Sequence, residues 1–343
     1  TDTVAKTYTD YPSSADFGNK EYNFYTEDIY VGYRWFETFT PDKVQYPFGY
    51  GLSYTEFSVE YLSSEESETE FQFTCAVQNT GTQYSGKEVV QIYLEKPCGV
   101  LGNPARVLAG FAKTKSLAPQ EREEVQIIVP KTALASYDDR GVTGFCSAYV
   151  TEAGTYRFYL GTDVRQAKEV YTYTCPETAL TEQLCEAAAP LVPFSVIKAE
   201  ERGDTRVPVK QAARLAKNDL RRRITENLPK DTPMTGDKGY KLSDEQNGSV
   251  SLADFTAQLN LTELEAISRG DYTMNSNLGV AGNAGAFGGV LESLRQKGVP
   301  PVITTDGPSG IRLWSCCSLM PIGTLLACTF DEALVEEVFS AIG

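Results

Sequence analysis

The chain has 343 residues, enough for two or three domains, with 41% hydrophobic and 22% charged residues, as in an ordinary globular protein. Its formal net charge of -15 excludes nucleic acid and anionic membrane as partners, because both repel an acidic surface. With no histidine, a Ser-His-Asp or Cys-His site cannot be built from this chain, so acid/base chemistry falls to carboxylates, Tyr, Lys or Cys.

The eight cysteines show no C-x2-C spacing, so no zinc site is expected and no metal or other cofactor is implied. Scattered thiols in a chain of this size fit a reducing compartment better than a disulfide framework, which points to the cytoplasm. No basic-then-apolar leader opens the sequence and no run approaches the ~20 apolar residues of a membrane helix. Secretion stays the alternative.

Residues 1–54 are irregular and rich in Tyr and Asp. "EDIYVGYRWFETF" (27–39) has strand-like aromatics around Gly32, and the segment is too short to make a core of its own. It reads as the end of a larger body. "YPFGYGLSYTEF" (46–57) then sets Tyr46, Phe48, Tyr50 and Tyr54 around Gly49 and Gly51. This knot is expected to pack at a junction, with both glycines letting the backbone turn.

Residues 55–175 change character. "EFSVEYL", "FQFTCAVQN", "EVVQIYL", "RVLAGFAKT", "EEVQIIV", "FCSAYVT", "GTYRFYLGT" and "EVYTYT" alternate apolar and polar residues, the period of a half-buried strand. Turn signals such as "NTG" (79–81) and "EAGT" (152–155) divide them. Short strands at this spacing indicate an all-β sandwich of immunoglobulin or fibronectin type III style.

Residues 176–249 read as a connector with one helix. "VPVKQAARLAKNDLRRRITENL" (207–228) carries Val209, Ala212, Ala213, Ala216, Leu220 and Ile224 at helical spacing. Its basic run, residues 221–223, is either an anion patch or a solvated helix face, and the acidic whole favours the latter.

In residues 250–343, Ser251 with Asp254 and Asn260 with Glu263 mark helix starts. "GVAGNAGAFGG" (279–289) lacks the G-K-[ST] of a phosphate loop and reads as a flexible loop. "GVPPVITTDGPSGIRLW" (298–314) is an apolar strand ending at Asp306, then a turn on Gly307, Pro308 and Gly310. "DEALVEEVFSAIG" (331–343) is an amphipathic helix. A carboxylate at the carboxyl end of a strand lies where α/β folds bind ligands. Asp306 is therefore either a ligand-binding group or the cap of its own turn, paired with Arg312.

"DGPSGIR" (306–312), followed by "PIGTLLACTFD" (321–331), resembles the start of the barrel domain of family 3 glycoside hydrolases. "YPFGYGLSYTEF" resembles the segment that closes the α/β sandwich domain of that family and leads into its fibronectin type III-like domain. "GKEVVQIYL" (86–94) and "LAGFAKTKSLAPQE" (108–121) resemble strands of that appended domain. The resemblance implies a multidomain chain. An all-β fibronectin type III-like sandwich (55–175) would be flanked by the tail of an α/β sandwich domain (1–54) and the first part of a (β/α)8-type barrel (250–343). The order is permuted relative to the usual barrel, sandwich and fibronectin-like domain, or else two enzymes are joined in tandem.

The family implies a retaining β-glycosidase, most directly a β-glucosidase, acting on terminal non-reducing β-linked sugars. Retention needs two carboxylates about 5–5.5 Å apart. The family nucleophile is an Asp in a Ser-Asp-Trp-like context, and no Asp-Trp pair occurs here. The acid/base Glu belongs to sandwich sequence upstream of the knot. The residues after Ser249 also fall short of the roughly 200 a barrel needs. The catalytic carboxylates are thus expected outside this chain, with no activity from it alone, and the rest of the barrel and sandwich supplied by further polypeptide. Asp306 carries over as a ligand for sugar hydroxyls, with Arg312 orienting it. Trp314 either stacks on a sugar or packs in a core. The alternative from another class is a non-catalytic carbohydrate-binding or scaffolding module built on the fibronectin-like domain.

Overall fold

The computed structural model describes residues 2–3, 14, 16, 18–186, 189–216, 220–229, 231, 233–271, 273–307 and 309–342. The chain divides into two compact units, Thr1–Asp219 and Leu220–Gly343.

Unit 1 is built from β1 (Asp2–Thr3), α1 (Tyr33–Phe39), β2 (Val44–Tyr46), β3 (Phe57–Glu66), β4 (Glu70–Asn79), β5 (Val89–Glu95), β6 (Val107–Lys113) and β7 (Arg122–Pro130). It continues with β8 (Ser136–Asp138), β9 (Ala148–Thr151), β10 (Gly154–Gly161), β11 (Lys168–Cys175), β12 (Ala179–Gln183), β13 (Ser195–Arg202) and β14 (Thr205–Ala212). A three-stranded sheet, β3-β4-β7, faces a four-stranded one, β11-β10-β5-β6, with antiparallel pairing throughout. All eight runs read as strands from their alternation are strands; the short β8 carried too few residues to show a period.

The core follows from that alternation. Phe71, Phe73, Cys75 and Val77 of β4 point inward together, against Tyr156, Phe158 and Leu160 of β10 and Val90, Ile92 and Leu94 of β5. Each large apolar side chain so buried contributes about 1.5–3 kcal/mol. β8, β9 and β12 form a separate small sheet beside the sandwich, in the order β12-β9-β8.

Three local expectations are corrected. "YRWFETF" is helix α1, not strand: Trp35 and Phe39 meet edge to face at 4.7 Å, four residues apart, as a helix requires. Residues 205–212 are a strand, not the start of a helix. β13 and β14 form an antiparallel hairpin around the two-residue Gly203–Asp204 turn, and helix α2 covers only Leu220–Glu226. The Val and Ala spacing fitted a helix, but alternate residues of β14 are partly covered and exposed, the strand period. In the knot, Phe48 stacks on Tyr33 at 4.3 Å, while Tyr54 is 92% exposed and does not pack at a junction. Only Gly49 is conformationally required: its φ is +90°, and a Cβ there would lie 2.6 Å from Gln91 Oε1.

The first part of the expected connector is therefore folded onto unit 1. Tyr30 accepts from Ala199 N at 2.7 Å and donates to the Gly102 carbonyl, sharing a small core with Cys98 and Ile197. Arg206 of β14 donates to the Asn103 carbonyl at 3.0 Å and to that of Lys96 at 2.8 Å.

Unit 2 holds α2, α3 (Leu242–Gln246), α4 (Leu252–Ala257), α5 (Leu261–Arg269), β15 (Gly285–Gly288), α6 (Glu292–Gln296), β16 (Pro301–Thr304), α7 (Gly323–Ala327) and α8 (Glu332–Ser340). The expected caps form: Ser251 accepts from Asp254 N at 3.1 Å, and Asn260 and Glu263 make a reciprocal capping box. Phe255, Leu259, Ala266 and Leu294 make its core. Glu263, almost fully buried, also accepts from Lys297 Nζ at 3.0 Å.

The glycine-rich stretch is not simply a loop. It contains β15, which pairs antiparallel with β16, Ala286 opposite Ile303. α6 lies between the two strands, and their antiparallel pairing differs from the parallel pairing between neighbouring strands of a (β/α)8 barrel.

Candidate functional site

Asp306 lies two residues beyond β16, at its carboxyl end. The turn after it closes through the backbone: Arg312 N donates to the Asp306 carbonyl at 3.0 Å, and Thr305 Oγ1 donates to the Arg312 carbonyl at 2.8 Å. The backbone and the Thr305 hydroxyl thus close this turn. Pro308 lies outside the described residues.

The two expected site residues are brought together. Arg312 Nη1 stands 3.6 Å from Asp306 Oδ2, with the side chains 75% and 53% exposed. An ion pair this open contributes at most about 1 kcal/mol and is readily exchanged for another partner. The carboxylate is fixed by its strand and turn while its oxygens face solvent.

The glycine-rich stretch builds a shaped wall in the same unit. Asn283 is buried and saturated: its amide donates to the Ser276 and Val280 carbonyls at 2.9 and 2.8 Å, and its Oδ1 accepts from Ser276 N and Gly285 N. Asn275 Oδ1 accepts from Gly282 N at 2.7 Å. The Ser276 hydroxyl, helped by the Ala286 and Thr273 amides, holds the Asp271 carboxyl below its usual range. Trp314 N donates to the Ala281 carbonyl at 3.2 Å, and a Cβ on Gly282 would lie 2.7 Å from Trp314 Cδ1. The Trp314 ring is seated on that glycine yet 76% exposed, so it is not a core residue of unit 2. Sequence reading missed Asn275, Asn283 and Asp271; the only signal was an Asn inside a glycine-rich turn.

Unit 2 also exposes Phe287, Val302, Ile303, Leu319 and Ile322. Among the described residues, no group of three His, Cys, Asp or Glu could hold a metal ion, and no helix is long and apolar enough to cross a membrane.

Residues 88–164 match the fibronectin type III-like domain family, covering β5 to β10. The whole chain aligns with a β-glucosidase of Ruminococcus albus at 45% identity over 346 residues, 36% of that protein's length. The chain resembles the family 3 glycoside hydrolases along its whole length. β-Glucosidase A of Butyrivibrio fibrisolvens is 35% identical over 385 residues, 100% of this chain and 45% of that one. The solved β-glucosidase of Paenibacillus barengoltzii superposes with a TM-score of 0.92 at 46% identity, over 98% of this chain and 37% of that one. The chain thus spans less than half the length of these relatives. The two full-chain alignments run through both units, so the relatives carry all their counterparts within one polypeptide.

Proposed function

We propose that this chain is part of a retaining β-glycosidase, most directly a β-glucosidase, in which unit 2 supplies one wall of the sugar site. The single observation that carries this reading is the Asp306 carboxylate, set just past β16 and presented to solvent beside Arg312. A carboxylate accepts from two sugar hydroxyls at once with charge-assisted strength, and Arg312 orients it. The exposed Trp314 offers a face for the sugar ring.

The nucleophile and the acid/base carboxylate come from polypeptide outside this chain. That polypeptide, the rest of a barrel and of an α/β sandwich, covers the apolar surface around Phe287, Val302 and Ile303. Full-chain alignment to single enzymes supports a permuted domain order over a tandem. The unbonded state of all eight cysteines supports a reducing, cytoplasmic setting.

The test is hydrolysis of an aryl β-glucoside by the longer polypeptide that carries this segment. Asp306→Asn should lower kcat/KM by about a hundredfold or more, the loss of two charge-assisted hydrogen bonds. Arg312→Lys should cost about tenfold or less, as befits a positioning group. Unchanged kcat/KM in Asp306→Asn would remove Asp306 from the sugar site.

A further inference from the structure

Unit 1 holds a second place suited to a sugar, remote in sequence from Asp306 and independent of it. A cavity of about 460 Å³ opens where the β8–β9 sheet meets the chain just after β12. Tyr137 and Tyr149 are register partners on that sheet, and their rings meet edge to face with centroids 5.4 Å apart. Both line the cavity and both are 41% exposed. Two tyrosines held this way by a sheet form an apolar platform with polar tips.

Opposite chemistry lines the same cavity. Arg214 Nη2 and Glu186 Oε2 stand 2.7 Å apart as an ion pair, with side chains only 14% and 9% exposed. Arg214 Nη1 is committed to the Asp139 carbonyl and to Cys146 Sγ at 2.8 Å. Glu186 Oε2 is thus held by Arg214, while Arg214 Nε has no hydrogen-bond partner. A pair so held is a fixed polar edge beside the tyrosines, and sugar hydroxyls, which both donate and accept, suit such an edge.

The charge balance decides the ligand class. Glu186 neutralises Arg214, and Arg140 Nε lies 3.3 Å from Asp139, the other acid at the cavity. A balanced site has no surplus charge for a phosphate or a free ammonium. A molecule with an apolar face for tyrosines and a rim of uncharged hydroxyls is a pyranoside. We infer that the cavity lined by Tyr137, Tyr149, Glu186 and Arg214 is a secondary binding site for an uncharged pyranoside. Its volume lies within the range of small-molecule pockets and suits one or two rings. A stacked ring and one gripped diol correspond to a Kd on the order of 1 mM.

Saturation-transfer NMR on the full chain tests this, with cellobiose and methyl β-glucoside as probes and inorganic phosphate as competitor. Transfer to the sugar should persist in Asp306→Asn, weaken about tenfold in Tyr149→Ala, and weaken likewise in Glu186→Gln. Tyr149 is half exposed, so its truncation is expected to leave folding intact, and circular dichroism of both variants checks this. Three results overturn the site: no transfer in the wild type, transfer lost in Asp306→Asn but kept in both other variants, or displacement of sugar by phosphate. Loss in the Asp306 variant with survival in the others would leave the first sugar site standing and remove only this one.

Discussion

The two units treat their apolar residues in opposite ways. In unit 1 the sheets close on each other, and Phe73, Phe158, Val90 and Ile92 are wholly buried. In unit 2 a small core forms around Phe255 and Leu294, while Phe287 and Val302 on its two-stranded sheet and Trp314 beyond it stay exposed. Apolar surface removed from water stabilises by roughly 25 cal/mol per Å², so the first unit is self-sufficient and the second is only partly so. Unit 1 closes on its own core, and unit 2 leaves an open wall with a solvent-facing carboxylate.

Truncating the centre of the closed unit should have the largest effect. Phe158→Ala leaves a cavity between the two sheets and should cost about 3–5 kcal/mol. Thermal or denaturant unfolding should show the loss in the unit 1 transition, with the unit 2 transition unmoved. A common shift would mean that the units unfold together and break the comparison.

In the open unit the corresponding weak point is polar. Glu263 caps α5 and holds the buried Lys297, so Glu263→Ala leaves Lys297 with only the exposed Asp237 and should cost about 3 kcal/mol. Burial pushes this carboxyl up, but the Asn260 amide, the Ser293 hydroxyl and Lys297 together hold it below the usual range. A lowered carboxyl stabilises the fold above the ordinary glutamate range, and that contribution is lost as pH falls through the folded value. An acid titration of unit 2 stability should therefore be flatter in the variant.

Much of this fold was legible from period alone. β4 and β7 alternate because each buries one face, β5 reads as a strand from its β-branched and aromatic run although both its faces are covered, and the caps at Ser251 and Asn260 are local chemistry. The misread segments are those where tertiary contacts choose between periods. The aromatics of α1 satisfy either pattern until Tyr33 stacks on Phe48, and β14 becomes a strand only because β13 offers an edge. Asp306 could be singled out because strand, acid and turn are contiguous. Asn283 was hidden because its partners are backbone groups of a folded loop. Arg214 and Glu186 were hidden because they lie far apart in sequence and meet only in space.

Lys96 sharpens the picture of the closed unit. It donates to Ser136 Oγ at 3.2 Å, and burial pushes its ammonium down to about 8, against the opposing pull of Glu152. The unfolded chain then binds more protons between about 8 and the ordinary lysine value of 10.5, so stability should rise with pH across that window. Lys96→Met should flatten the rise in melting temperature; an unchanged slope would assign it to other groups.

The smallest effect belongs to the exposed Arg312, where Arg312→Ala should change stability by less than about 1 kcal/mol. A larger loss would make the pair part of the fold, not part of an open wall.

The most direct measurement is aryl β-glucoside hydrolysis by this polypeptide alone. On the proposed reading, in which the nucleophile and the acid/base lie outside the chain, no turnover above the buffer rate is expected. Measurable turnover by the purified chain, abolished in Asp306→Asn, would place a complete catalytic pair within it and contradict the division of labour drawn here.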